Sequence, residues 1–144
     1  MFLSLRRHFP ITIFSIFVTL LLSLGVGSIT SARAAVSTVD DSNYKTEVED
    51  STSPVFIDFY ATWCGPCKKV SPIVDELSEE YKGQIKFVRV DVEKAPKTAE
   101  RFKADQLPTL VLRGKNLTKG VSIVGYQSKE RLKAFIEGSL PKVQ

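Results

Sequence analysis

Apolar residues recur along this chain in two different periods, and the switches between them mark out its elements. Val55-Phe56-Ile57-Asp58-Phe59-Tyr60-Ala61 is apolar throughout except at Asp58, the pattern of a central strand covered on both faces. Over residues 64–81 the period becomes helical, with Val70, Ile73, Val74, Leu77 and Tyr81 on one face. Pro72 falls inside that helix and is expected to kink it; Lys82-Gly83 ends it. Residues 85–92 alternate, Ile85, Phe87, Arg89 and Asp91 against Lys86, Val88, Val90 and Val92, and predict a second strand. A short helix over residues 95–103 follows, with Pro96 tolerated near its start. Residues 109–112 and 121–124 predict two strands joined by a polar turn that contains Gly114. Ser128 caps a last helix through Ile136, its apolar face made by Leu132, Phe135 and Ile136. Upstream, Asp40, Asp41 and Ser42 are cap candidates for a short helix over residues 43–49, and the stretch before them leads into the domain.

A strand–helix–strand crossover followed by a hairpin gives an α/β domain with a mixed central β-sheet flanked by helices. The length allows one such domain, assigned to residues 35–144.

Residues 1–34 do not fit this scheme. Arg6-Arg7-His8 forms a basic start, residues 11–26 are uncharged and mostly apolar, and Ala32-Arg33-Ala34 is a small-x-small cleavage pattern before Ala35. This is the order of a secretory signal peptide. The uncharged stretch is also long enough for an uncleaved membrane anchor, which takes about 20 residues. Both readings put the domain outside the cytoplasm, because Arg6 and Arg7 stay on the cytoplasmic side. The leader holds three arginines and no acid. Without it the formal charge of +4 falls to +1, from 17 basic and 16 acidic residues. A body this close to neutral carries no nucleic-acid footprint.

Both cysteines of the chain lie in Trp63-Cys64-Gly65-Pro66-Cys67-Lys68, at the predicted junction between strand and helix. Two cysteines three positions apart close a tiny loop and constrain the unfolded chain little, so stabilisation is a poor reason for the pair. The only histidine, His8, is in the leader. Zinc sites usually take four ligands, and a cysteine–histidine hydrolase needs its histidine, so neither reading has the residues it requires. Reversible dithiol chemistry remains. At a helix N-terminus the unpaired N–H groups and the dipole favour an anion, which is the condition that lowers a thiol's pKa.

The hexapeptide, with Asp58-Phe59-Tyr60-Ala61 before it, Leu107-Pro108-Thr109 after it and Gly125 near the end, resembles the thioredoxin family over about residues 36–140. The resemblance implies the thioredoxin fold, no cofactor beyond a redox-active Cys64–Cys67 disulfide, no metal, and a monomer acting on disulfide-containing proteins. It implies that Cys64 attacks a substrate disulfide and that Cys67 resolves the mixed disulfide. It also implies that Asp58 lies behind Cys67 and relays its proton, and that Leu107-Pro108 is a cis peptide facing the cysteines. Trp63, Gly65, Pro66, Leu107, Pro108 and Gly125 are then the substrate-binding surface. On its own chemistry Asp58 is either buried with a raised pKa or turned to a polar crevice. The family often has a lysine near this acid; the matching residue here is Arg89, which cannot deprotonate. Lys68, Lys69 and Arg89 read as solvated charges.

The Gly-Pro dipeptide resembles that of reducing family members and points to a reductase. Outside the cytoplasm its electrons require a transmembrane dithiol donor. An exported oxidant or isomerase, and a binding module working through its apolar patch, stay open as alternatives.

Overall fold

β2 (Val55–Tyr60) occupies the centre of the sheet, and the composition of the run explains why: residues 55–59 are all buried, so the strand needs cover on both faces. The computed structural model describes residues 36–144; the leader assigned to residues 1–34 lies outside the described residues. The other elements are β1 (Ser37–Val39), a single π-helical turn α1 (Lys45–Glu49), α2 (Gly65–Glu80), β3 (Lys86–Asp91), α3 (Pro96–Phe102), β4 (Thr109–Arg113), β5 (Val121–Val124) and α4 (Lys129–Val143). No helix among the described residues is long and apolar enough to cross a membrane.

Five strands pair in the order β1-β3-β2-β4-β5. β1, β3 and β2 run parallel, while β4 pairs antiparallel with β2 and β5 antiparallel with β4. This is the mixed sheet that the element order predicts. Alternation along the strands sorts the core into two layers. Phe56, Phe87, Leu110 and Leu112 pack with Val70, Val74 and Leu77 of α2 and with Leu132 and Ile136 of α4. Ile57, Phe59, Val88, Val90 and Val111 pack on the other face with Tyr44, Val48, Ala95 and Ala104. Asp58, two residues after Phe56, shares its face and therefore points to the α2 side. In register it sits opposite Arg89 on β3 and Leu110 on β4.

Three features depart from the sequence expectation. The lead-in forms an edge strand, because β3 offers Ser37–Val39 a free ladder. Asp40 caps the turn before α1: its Oδ1 accepts from Ser42 N at 2.8 Å and from Asn43 N at 3.2 Å. Asp41 instead caps α3, whose own N-cap residue, Ala95, has no side-chain acceptor. Asp41 Oδ1 accepts from Thr98 N at 2.8 Å and Thr98 Oγ1 at 2.7 Å, and Oδ2 from Lys97 N at 3.1 Å. α4 begins at the Ser128 cap as expected but continues past Ile136 to Val143, whose burial holds the final turns in place despite Gly138 and Pro141.

Candidate active site

The parallel pairing of β2 and β3 brings the C-terminal ends of both strands to one edge, where Val92 N donates to Tyr60 O at 3.0 Å. The chain leaves β2 there, turns through Ala61–Trp63 and enters α2. Cys64 is the N-cap of α2, with extended backbone angles, and its N–H donates to Ala61 O at 3.1 Å. Pro66 falls in the first turn, where a missing N–H has no helical partner to lose. Cys67 comes one turn later. The two cysteines form a disulfide with Cα atoms 5.3 Å apart, and Cys67 N donates to Cys64 Sγ at 3.3 Å. Both are buried, against Ala61, Tyr60, Val92 and Leu107. A Cβ at Gly65 would meet nothing within 4 Å. The fold therefore does not demand glycine there; the bare position keeps the approach to Cys64 open.

Asp58 is 1% exposed. Its Oδ2 accepts from Arg89 Nε at 3.1 Å, and its Oδ1 has no hydrogen-bond partner among the described residues. Arg89 also donates from Nη2 to Ser71 O and to Asp75 Oδ1, each at 3.2 Å. Ser71 lies one helical turn beyond Cys67. The bridge thus ties Asp58 to the middle of α2, on the face of the sheet that this helix covers. Burial pushes the Asp58 carboxyl above the usual range; the Arg89 charge and hydrogen bond oppose the rise, and the Asp75 charge adds to it. The expectation of a solvated Arg89 is corrected here. The side chain is 22% exposed and tied to β2 and α2 at once, because α2 crosses the sheet directly over it.

Leu107–Pro108 is a cis peptide, as the resemblance implies. Pro108 O accepts from Gly125 N at 2.8 Å, and Gly125, at φ +84°, turns the chain out of β5 in a conformation that suits glycine. Trp63 is 68% exposed, with Nε1 donating to Glu93 Oε1 at 3.1 Å. Together Trp63, Cys64, Gly65, Pro66 and Leu107 line an open groove of about 390 Å³, closed on its far side by Val92, Ala104 and Asp105. Neither Pro108 nor Gly125 lines this groove; the two are hydrogen-bonded to each other next to Leu107, which does. Sequence reasoning missed the far wall and Glu93. The signal for Val92 and Glu93 was available: a strand parallel to β2 must end beside the residues that follow β2. Exposed Val124 and Tyr126 flank Gly125.

The arrangement presents a disulfide pair at a helix N-terminus, whose unpaired N–H groups favour an anion, beside an open, mostly apolar groove. Among the described residues, no group of three or more His, Cys, Asp or Glu is placed to hold a metal ion.

A family model described as thioredoxin matches residues 35–138. Over 107 residues the chain is 40% identical to thioredoxin 1 of Nostoc sp., covering 74% of this chain and 99% of that protein. Over 105 residues it is 38% identical to the thioredoxin of Rickettsia prowazekii, covering 73% and 99%. It is 37% identical to the chloroplastic thioredoxin M4 of Arabidopsis thaliana over 108 residues, 75% of this chain and 55% of that one. The Cys64–Cys67 pair and these matches make the chain a protein thiol–disulfide oxidoreductase and a member of the thioredoxin family.

Proposed function

We propose that this protein reduces disulfides in other proteins, outside the cytoplasm. The observation that carries the direction is the pair of residues between the cysteines. Gly65 and Pro66 bring no charge and no imidazole to the start of α2, so neither adds to what the helix terminus does for a Cys64 thiolate. A less stabilised thiolate means a less oxidising pair.

Cys64 thiolate attacks one sulfur of the substrate disulfide, forming a mixed disulfide and releasing one substrate thiolate, which takes a proton from solvent. Cys67 loses its proton to Asp58, attacks Cys64 Sγ and closes the intramolecular disulfide. The second substrate thiolate leaves and is protonated. Two electrons pass from the dithiol to the substrate. Arg89 holds Asp58 in place and, being unable to give up a proton, leaves the relay to the carboxyl alone. Trp63, Gly65, Pro66, Leu107, Pro108 and Gly125 hold the substrate chain against Cys64.

The location rests on the basic start, apolar stretch and small-x-small pattern of residues 1–34. Beyond the membrane the oxidised protein is recharged by a transmembrane dithiol carrier. Equilibrating the protein with glutathione tests the direction. A potential below about −230 mV is expected, and a value near about −150 mV would make the protein an oxidant instead.

A further inference from the structure

On the sheet face opposite α2, remote from the cysteines in sequence, lies a second cleft of about 390 Å³, lined by Tyr44, Glu49, Arg101, Phe102, Arg113, Thr118 and Lys119. Arg113 ends β4 and is 6% exposed, yet it has no carboxylate within ion-pair distance among the described residues. Its acceptors are two main-chain carbonyls. Nη1 donates to Val48 O and Nε to Thr118 O at 3.2 Å. A guanidinium carries five N–H donors, so these carbonyls account for two. A buried charge of this kind is costly unless an opposite charge offsets it.

The surroundings do not supply one. Arg101 lies over the Tyr44 ring, with Cζ 4.8 Å from its centroid, and its Nη1 takes up the one acid of the cleft, Glu49, at 2.6 Å. Lys119 makes no ion pair among the described residues. Three cations against one carboxylate leave the lining at +2. Burial pushes the Tyr44 phenol up; the Arg113 and Arg101 charges pull it back, and the Glu49 charge adds to the rise.

We propose that this cleft binds a phosphate-type dianion, either free or at the end of a small phosphomonoester. The charge matches. Arginine's planar fork suits such an oxyanion, and Tyr44 and Phe102 line the cleft beside it. The volume is that of a small-molecule site.

Calorimetric titration of the full-length protein at fixed ionic strength, with the arginine Nε–Hε signals followed by NMR, tests this. Inorganic phosphate should bind saturably, with a dissociation constant below about 1 mM, and shift the Arg113 and Arg101 signals. Phenyl phosphate is the second probe. Tighter binding than inorganic phosphate assigns the site to a monoester, and weaker binding assigns it to the free ion. Arg101→Gln with Lys119→Gln, two exposed positions that leave Arg113 and the fold in place, should weaken either probe about tenfold or more. The proposal is overturned by an absence of saturation up to about 20 mM phosphate. It is equally overturned by acetate binding as tightly as phosphate, or by unchanged affinity in the double variant.

Discussion

Replacing Arg89 with methionine isolates what the guanidinium does for Asp58. The variant keeps most of the packing volume but leaves a 1% exposed carboxyl without its hydrogen-bond donor. Breaking a buried ion pair from one side costs about 3–5 kcal/mol. Two features reduce that figure. Arg89 is partly exposed, so solvent already screens the pair. Protonation also offers an escape: keeping an acid of free-chain value near 3.9 neutral at pH 7 costs about 4 kcal/mol, and burial has already imposed part of that on the native protein. A loss of about 2–3 kcal/mol is expected at pH 7.5. Near pH 4.5 a neutral Asp58 needs no cation. The loss there should shrink to about 1 kcal/mol, from the bonds to Asp75 and Ser71. The sign follows from linkage. Asp58 has a raised folded-state value, so its contribution to stability is full below the unfolded value and is lost as pH rises through the folded one. Arg89→Met raises the folded value further and widens that window, so the gap from wild type grows with pH. Urea unfolding at both pH values, with the disulfide intact, measures it. In an Asp58→Asn background the pH-dependent part should vanish while the Asp75 contact remains. The same loss at both pH values, or one indifferent to Asp58→Asn, would refute the reasoning.

Cys64→Ser should abolish reduction of insulin disulfides, whereas Cys67→Ser should accumulate mixed disulfides visible on non-reducing gels; full turnover by Cys67→Ser would exclude the two-cysteine route. Asp58→Asn should slow closure of the Cys64–Cys67 disulfide in stopped-flow assays while leaving the fold intact, and an unchanged rate from pH 6 to 9 would remove it from the relay. Trp63→Ala should change stability by less than about 0.5 kcal/mol, since the ring is exposed, yet raise KM for protein disulfides several-fold. Equal kinetics would take Trp63 off the substrate surface. Gly114→Ala places a Cβ 1.8 Å from Val143 O and should displace the end of α4, costing about 2–4 kcal/mol by urea unfolding.

What the sequence discloses is what depends on neighbours. The strand at residues 55–60, the period of α2, the Ser128 cap and the cysteine hexapeptide are local patterns, and each lies where the pattern puts it. What it hides depends on partners distant along the chain. Ser37–Val39 lacks the apolar run of a strand and becomes one only because β3 has an open edge. Asp41 looks like a cap for the residues that follow it, yet its acceptors serve Lys97 and Thr98. Arg89 looks like any charge on an alternating strand until α2 lies across it. At the end of α4, Gly138 and Pro141 are stop signals in isolation, overridden by burial of Val143. The groove is half legible for the same reason: Trp63 to Pro66 are contiguous, whereas Val92, Ala104 and Asp105 arrive from other elements.

The Asp41 cap also orders events in time. Asp41 and Thr98 are separated by 57 positions, and β1 pairs only with β3. Synthesis adds about 5–20 residues per second, so roughly 3–11 s pass between the making of the cap and the making of the helix that it caps. Until Val90 is made, Val39 has no ladder to join and remains available to whatever binds a nascent chain. The strand at residues 37–39 thus waits for β3 and α3, and its docking completes both an edge of the sheet and the start of α3.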